Sequence, residues 1–267
     1  MDTLRRQALG LLLTRDPETK AKGTMALDLS GPCGAAEAMA EPAGIPGRPA
    51  RPELVPHTQL KTRSVRNPEG HAALIHALAH IELNAIDLAL DLAARFHGMP
   101  DEFYQDWLKV SKEEALHFTL LRDHLVSLGF DYGHFPAHNS LWEMAEKTKH
   151  DMLARIALVP RTMEARGLDA SPPIKAKLLD IEDQKGADII DIILRDEIGH
   201  VAVGNKWYRI LCAQRGLDPL STYAELAARF SAPRLKGPFN LEARRAAGFE
   251  EDELYALEQL WTSKALN

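Results

Sequence analysis

The chain has 267 residues, 45% hydrophobic and 26% charged, with a formal net charge of −6. This is an ordinary globular composition, long enough to bury a core and without a global basic field to draw in nucleic acid. Two cysteines, Cys33 and Cys212, cannot build a disulfide framework, a zinc ribbon or a rubredoxin-type centre. The apolar run near the N-terminus is too short for a signal peptide and no cleavage-like site follows it. No stretch reads as approaching the ~20 apolar residues of a membrane helix, so a cytoplasmic protein with no membrane partner is expected.

Residues 3–15 predict a short amphipathic helix, stopped near Asp16-Pro17. Residues 28–66 are rich in Gly, Pro and Ala and predict an extended arm laid over the rest. The arm's second half is basic (Arg48, Arg51, Lys61, Arg63, Arg66), a run more often solvated than nucleic-acid binding.

Asn67-Pro68-Glu69 predicts a helix start, with a cap, Pro at the first position and acid in the first turn. That helix runs to about Phe96, where His97-Gly98 stops it. Glu82 sits near its middle. His71, His76 and His80 on this helix are read as packing or surface histidines. Met99-Pro100-Asp101 opens a second helix that ends at Leu128-Gly129. Trp107 and His124 on it are read as core residues, as is Trp207 further on.

A loop, GFDYGHFPAHN, should carry the chain across the bundle. Ser140-x-x-Glu143 then predicts a capping box opening a third helix, which leads to Glu164. Pro160, four residues before Glu164, should kink that helix. Ser171-Pro172-Pro173 is read as the cap of a long fourth segment running to Gln214-Arg215-Gly216, with an interruption allowed at Gly186. Asp218-Pro219 starts a further helix to about Phe230. A Pro/Gly-bearing arm follows, then a terminal helix over 250–263. The organisation expected is an N-terminal helix and arm over 1–66, a bundle over 67–216 and a helical extension over 217–267.

One pattern occurs twice on these helices: Glu114-x-x-His117 and Glu197-x-x-His200. Positions i and i+3 share a helix face, so each pair aims a carboxylate and an imidazole the same way. Each has a carboxylate one helix upstream, Glu82 and Glu164, at separations of 32 and 33 residues. Four carboxylates and two imidazoles in a four-helix bundle match the ligand set of a di-iron or di-manganese centre. The flanking residues are apolar, so the charged groups are drawn inside, where carboxylates need a metal or a partner. The acids just before each ligand glutamate, Glu113 and Asp196, are read as orienting residues. Asp196 would take the ring N–H of His117, and Glu113 that of His200.

The assembled pattern resembles the ferritin-like di-iron carboxylate superfamily over residues 67–216. The stretches NPEGHAALIHALAHIELNAIDLALD, ILRDEIGHVAVGNKWY and GPFNLEARRAAGF resemble, over almost the whole chain, a bacterial ferritin-like family of unknown function. That family is related to the tRNA hydroxylase that acts on isopentenylated adenosine. The resemblance implies an all-α, ferritin-like four-helix bundle with terminal arms and short accessory helices. It implies two iron ions, with manganese or a mixed pair as the alternative, held by Glu82, Glu114, His117, Glu164, Glu197 and His200. It further implies O2-dependent oxidation of a small molecule or a tRNA nucleoside, fed by a separate electron donor, with a homodimer allowed. Ferroxidase, peroxide-reducing and purely structural metal bundles are the competing readings. An RNA substrate predicts a basic surface drawn from Lys175, Lys177, Arg234, Lys236, Arg244 and Arg245.

Overall fold

The structure is a computed structural model that describes residues 2–61 and 63–262. Among these residues the chain is all-helical and no strand is present. It divides into two compact units. The first is Met1–Trp142 with Lys177–Ile189, and the second is Glu143–Ala176 with Ile190–Asn267.

The first unit is built on two long helices, α3 (Pro68–Arg95) and α4 (Asp101–Ser127), preceded by α1 (Leu4–Leu13) and α2 (Pro17–Met25). Asn67 caps α3 as its sequence predicts, its Oδ1 accepting the Gly70 N–H at 2.7 Å. Gly98 and Gly129, at φ +80° and +87°, end α3 and α4. The connection between the two is short enough to return the chain antiparallel. As expected, α1 ends just before Asp16-Pro17, but the same pair also opens a second helix. Asp16 is the N-cap of α2, accepting the Thr19 N–H at 2.8 Å, and Pro17 occupies its first position, where no N–H is needed.

By length and composition α3 could cross a membrane, contrary to the sequence reading, but 78% of the relevant window is buried inside the protein. It also carries the buried carboxylates Glu82, Asp87 and Asp91. It is therefore the core helix of this unit.

The Gly/Pro-rich arm lies close against these helices. Gly47 donates its N–H to the Leu12 carbonyl at 2.7 Å. A Cβ added at Gly47 would stand 2.1 Å from the Leu13 carbonyl oxygen, so only glycine fits that approach. Arg5 of α1 is fully buried and donates to the carbonyls of Ala93 and Ala94, in the last turn of α3, at 3.0 and 2.7 Å. It also reaches the Gly34 carbonyl at 2.9 Å and that of Glu37. One guanidinium thus satisfies the helix's orphan acceptors and ties down the arm.

The third helix of the sequence reading is broken. It appears as α5 (Ser140–Lys147), α6 (Met152–Leu158) and a π turn over Val159–Glu164. Asp151 starts α6 by accepting the N–H groups of Leu153 and Ala154. The irregularity expected from Pro160 is the π turn, in which the Ala165 N–H reaches the Pro160 carbonyl at 3.2 Å.

The fourth segment also differs. Pro172 and Pro173 lie inside a helix, α7 (Arg166–Leu179), and the long helix α8 starts only at Gln184 and runs to Arg215. Pro172 cannot donate to the Leu168 carbonyl, and Asn240 Nδ2 supplies that hydrogen bond instead, at 3.2 Å. The chain turns between α7 and α8 with Glu182 at φ +61°.

The C-terminal part adds α9 (Pro219–Arg229), α10 (Leu241–Ala246) inside the expected arm, and α11 (Glu251–Thr262). In the second unit Ala165, Leu168 and Val201 pack with Ala243 and Ala247. Arg161 is buried among Tyr208, Phe249 and Tyr223, at 4.5, 4.9 and 5.2 Å from the ring centres. It bonds Asn205 Oδ1 at 2.6 Å and pairs with Glu253. This cage fixes the π turn that ends on Glu164.

Candidate metal centre

Of the sequence-predicted ligands, the structure brings Glu82, Glu114 and His117 together inside the first unit. One donor atom from each lies within 4.8 Å of the other two. The i,i+3 spacing puts Glu114 and His117 on one face of α4, and α3 presents Glu82 to that face. All three are buried: Glu82 is 4% exposed, Glu114 and His117 0%. His117 Nδ1 lies 3.1 Å from Glu114 Oε2 and 3.4 Å from Glu82 Oε2. The longer contact does not make a hydrogen bond, and Glu82 Oε2 is a buried acceptor without one.

Burial sets the electrostatics of this trio. Burial, reinforced by the neighbouring Glu114 carboxylate, pushes the Glu82 carboxyl up to about 8. Burial opposes a charged His117, but the nearby Glu114 and Glu82 carboxylates, at 3.1 and 3.4 Å, outweigh it and raise its pKa. Two carboxylates beside one imidazole therefore hold protons where a cation would relieve them. The donor set, two hard oxygens and one imidazole, suits iron or manganese rather than a thiophilic ion.

In the second unit Glu197 and His200 lie on one face of α8, 6% and 1% exposed. Glu164 ends the π turn and is half-buried. Glu197 Cδ lies 3.7 Å from where a Cβ on Gly167 would sit, so a small residue there keeps space beside the carboxylate. Of the two orienting acids, Asp196 takes the Arg195 guanidinium at 2.8 and 2.9 Å, and Glu113 lies 3.7 Å from Lys109 Nζ. Trp107 and Trp207 are core residues, 1% and 2% exposed. Cys33 and Cys212 are free and buried.

The histidines of α3 and α4 do more than pack. His76 and His80 do pack, each stacked on Tyr132. His71 and His124 instead converge on Asp183, which the sequence reading passed over, with both Nε2 atoms on one carboxylate oxygen at 2.6 and 2.8 Å. The available signal was an Asp three residues before Gly186, a helix-cap spacing, but nothing in the sequence ties it to either histidine. The basic surface expected for RNA is also altered. Arg244 is 1% exposed and paired with Asp169, while Lys175 and Arg245 pair with Asp191 and Glu251.

Residues 13–255 match a family described as "Protein of unknown function (DUF455)". An uncharacterized protein of Haemophilus influenzae is 48% identical over 221 residues, 79% of this chain and 77% of that protein. No solved structure matches. The extent of the family match and the identity to this relative together show that the chain belongs to the DUF455 family.

Proposed function

We propose that this chain is a two-metal carboxylate oxidoreductase of the ferritin-like kind, with Glu82, Glu114 and His117 holding one ion and Glu164, Glu197 and His200 the other. The single observation that carries the reading is the Glu82/Glu114/His117 trio. Three metal-competent groups are buried together, two carboxyls beside one imidazole, with one carboxylate oxygen left without a hydrogen bond. Such an arrangement is costly for a protein that never binds a cation there. The second trio repeats the same residue types at the same spacing.

Iron is the preferred ion, because a redox-active pair supplies the electrons that O2 activation needs. The residues of the chain have separate tasks. Glu82, Glu114, Glu164 and Glu197 would supply the anionic oxygens. His117 and His200 supply the neutral donors. Ala115, Phe118 and Val201, each next to a ligand residue in sequence, are buried and would help to exclude water. Electrons come from a separate donor protein. A small-molecule substrate is favoured over a tRNA nucleoside, since three of the six basic residues on which RNA binding would draw are neutralised by acids.

The test is metal analysis of the purified protein, followed by O2 consumption with a chemical reductant. The expected result is two iron ions per chain, lost in Glu114→Gln/His117→Gln, with reductant-dependent O2 uptake that the variant lacks. Equal melting of metal-loaded and metal-free protein, together with no O2 uptake, would overturn the reading. Bound metal without O2 uptake would leave only a structural centre.

A further inference from the structure

We propose a second, mononuclear metal site in the first unit, built from His71, His124 and Asp183 and suited to a divalent first-row transition ion such as Zn2+. Three helix ends meet there: the first turn of α3, the last turn of α4 and the residue preceding α8. His71 Nε2 and His124 Nε2 lie 2.6 and 2.8 Å from the same oxygen, Asp183 Oδ2. One donor atom from each residue lies within 4.8 Å of the other two.

The surroundings prepare these atoms to bind. Asp183 Oδ1 is occupied by the Gly186 N–H at 2.8 Å, so Oδ2 is the oxygen turned to the imidazoles. A Cβ at Gly186 would stand 2.3 Å from Oδ2, and the carboxylate therefore occupies a cradle open only because residue 186 is glycine. His124 Nδ1 lies 3.4 Å from Ser127 Oγ, an acceptor for the ring proton once Nε2 takes a metal. Burial works against a charged Asp183, but the Gly186 N–H and the two imidazoles outweigh it and hold the carboxyl below its ordinary range. The His71 side chain is 15% exposed, against 4% for His124 and 7% for Asp183, which gives an ion a way in from solvent.

The chemistry selects the ion. Two imidazoles and one carboxylate are borderline donors, suited to zinc and its neighbours and poor for magnesium or calcium. Zinc–ligand bonds of ~2.0–2.1 Å set tetrahedral donors ~3.3 Å apart. His71 and His124 therefore need to retreat from Asp183 by only ~0.7 and ~0.5 Å. Three protein ligands leave one position for water or a solvent-borne ligand. The site differs from the carboxylate-rich trio in donors, net charge and exposure, and does not depend on that trio binding metal.

The experiment uses full-length protein in which Glu114→Gln/His117→Gln has removed the trio. Chelator-treated protein is loaded with Zn2+, dialysed and analysed for metal, and its melting is compared with and without zinc. One zinc per chain and a zinc-dependent rise in Tm are expected. Adding His71→Gln, a partly exposed position, should abolish both while lowering the metal-free Tm by no more than the loss of one hydrogen bond. Asp183→Asn keeps the helix cap and should bind zinc about 100-fold more weakly, and Ser127→Ala about tenfold. Co2+ in the same background should give the visible bands of a tetrahedral site. If the background variant does not fold, His71→Gln in the natural sequence should lower the zinc count by one. Zinc content and Tm response unchanged by His71→Gln, or no zinc bound at all, would overturn the proposal. Loss of the trio's metal and of O2 uptake leaves this readout untouched.

Discussion

The same two helices carry two clusters of opposite character. Glu82 and His71 lie eleven residues apart on α3, ~16 Å along its axis, and His117 and His124 seven apart on α4, ~10 Å. The Glu82/Glu114/His117 trio is sealed and acid-rich, and retains a buried oxygen with no hydrogen bond. The His71/His124/Asp183 trio lies nearer the surface and is base-rich. Its carboxylate is held by a backbone N–H and two rings. The first is unfavourable as it stands, and a cation would improve it. The second is already satisfied and adds to stability without one. A buried acid thus has two meanings, which its partners distinguish and its exposure does not.

Apolar replacement of one acid in each cluster should break the symmetry most clearly. Asp183→Leu leaves the Gly186 N–H and two imidazoles without their acceptor and should cost about 4 kcal/mol, measured by urea unfolding of metal-free protein. A cost under about 1 kcal/mol would mean that the carboxylate is not holding that corner. Next in size is a pH effect from a third kind of group on α3, the buried neutral His76. Its Nε2 accepts the Gly133 N–H at 2.9 Å, and burial lowers its pKa to about 4. Its folded pKa lies below its unfolded value. The stability it contributes is therefore complete above about pH 6.5 and lost as pH falls toward 4, by about 3 kcal/mol. His80, which burial also lowers to about 4, adds to the same slope, so unfolding free energies across that range should show it and His76→Asn should reduce it by His76's share.

Glu82→Met should have the opposite sign from Asp183→Leu. It removes a buried, poorly solvated acid and should stabilise metal-free protein by about 1–2 kcal/mol while abolishing metal binding at the trio. A destabilised Glu82→Met would show that the trio is a structural network needing no ion. The smallest effect expected is at Gly186. Ala there forces Asp183 Oδ2 out of its cradle and should cost about 1–2 kcal/mol, with no change in the metal content of the acid-rich trio.

Much of this architecture could be read from local signals. Asn67-Pro68, Gly98 and Gly129 mark the ends of α3 and α4 because capping is short-range chemistry. The i,i+3 pairs could be read because helical period alone puts them on one face. Other features could not, because distant residues decide them. Pro172 reads as a helix start, yet Asn240, 68 positions later, takes over its lost hydrogen bond and lets α7 continue. The break before α8 falls in LLDIEDQKG, where no proline marks it and the positive φ belongs to Glu182. Asp183 meets His71 and His124 across 112 and 59 residues, a convergence that no periodicity encodes.

Arg5 bears on how the protein can be dissected. The family match starts at residue 13, and a designer of shortened versions would begin there. Such a version would lack the guanidinium that plugs the α3 terminus, and the Ala93 and Ala94 carbonyls would face a vacated hole together with a loosened arm. The leading dozen residues thus act as a stopper for the helix that carries Glu82, and a fragment without them should lose its grip on that helix before its chemistry can be assayed.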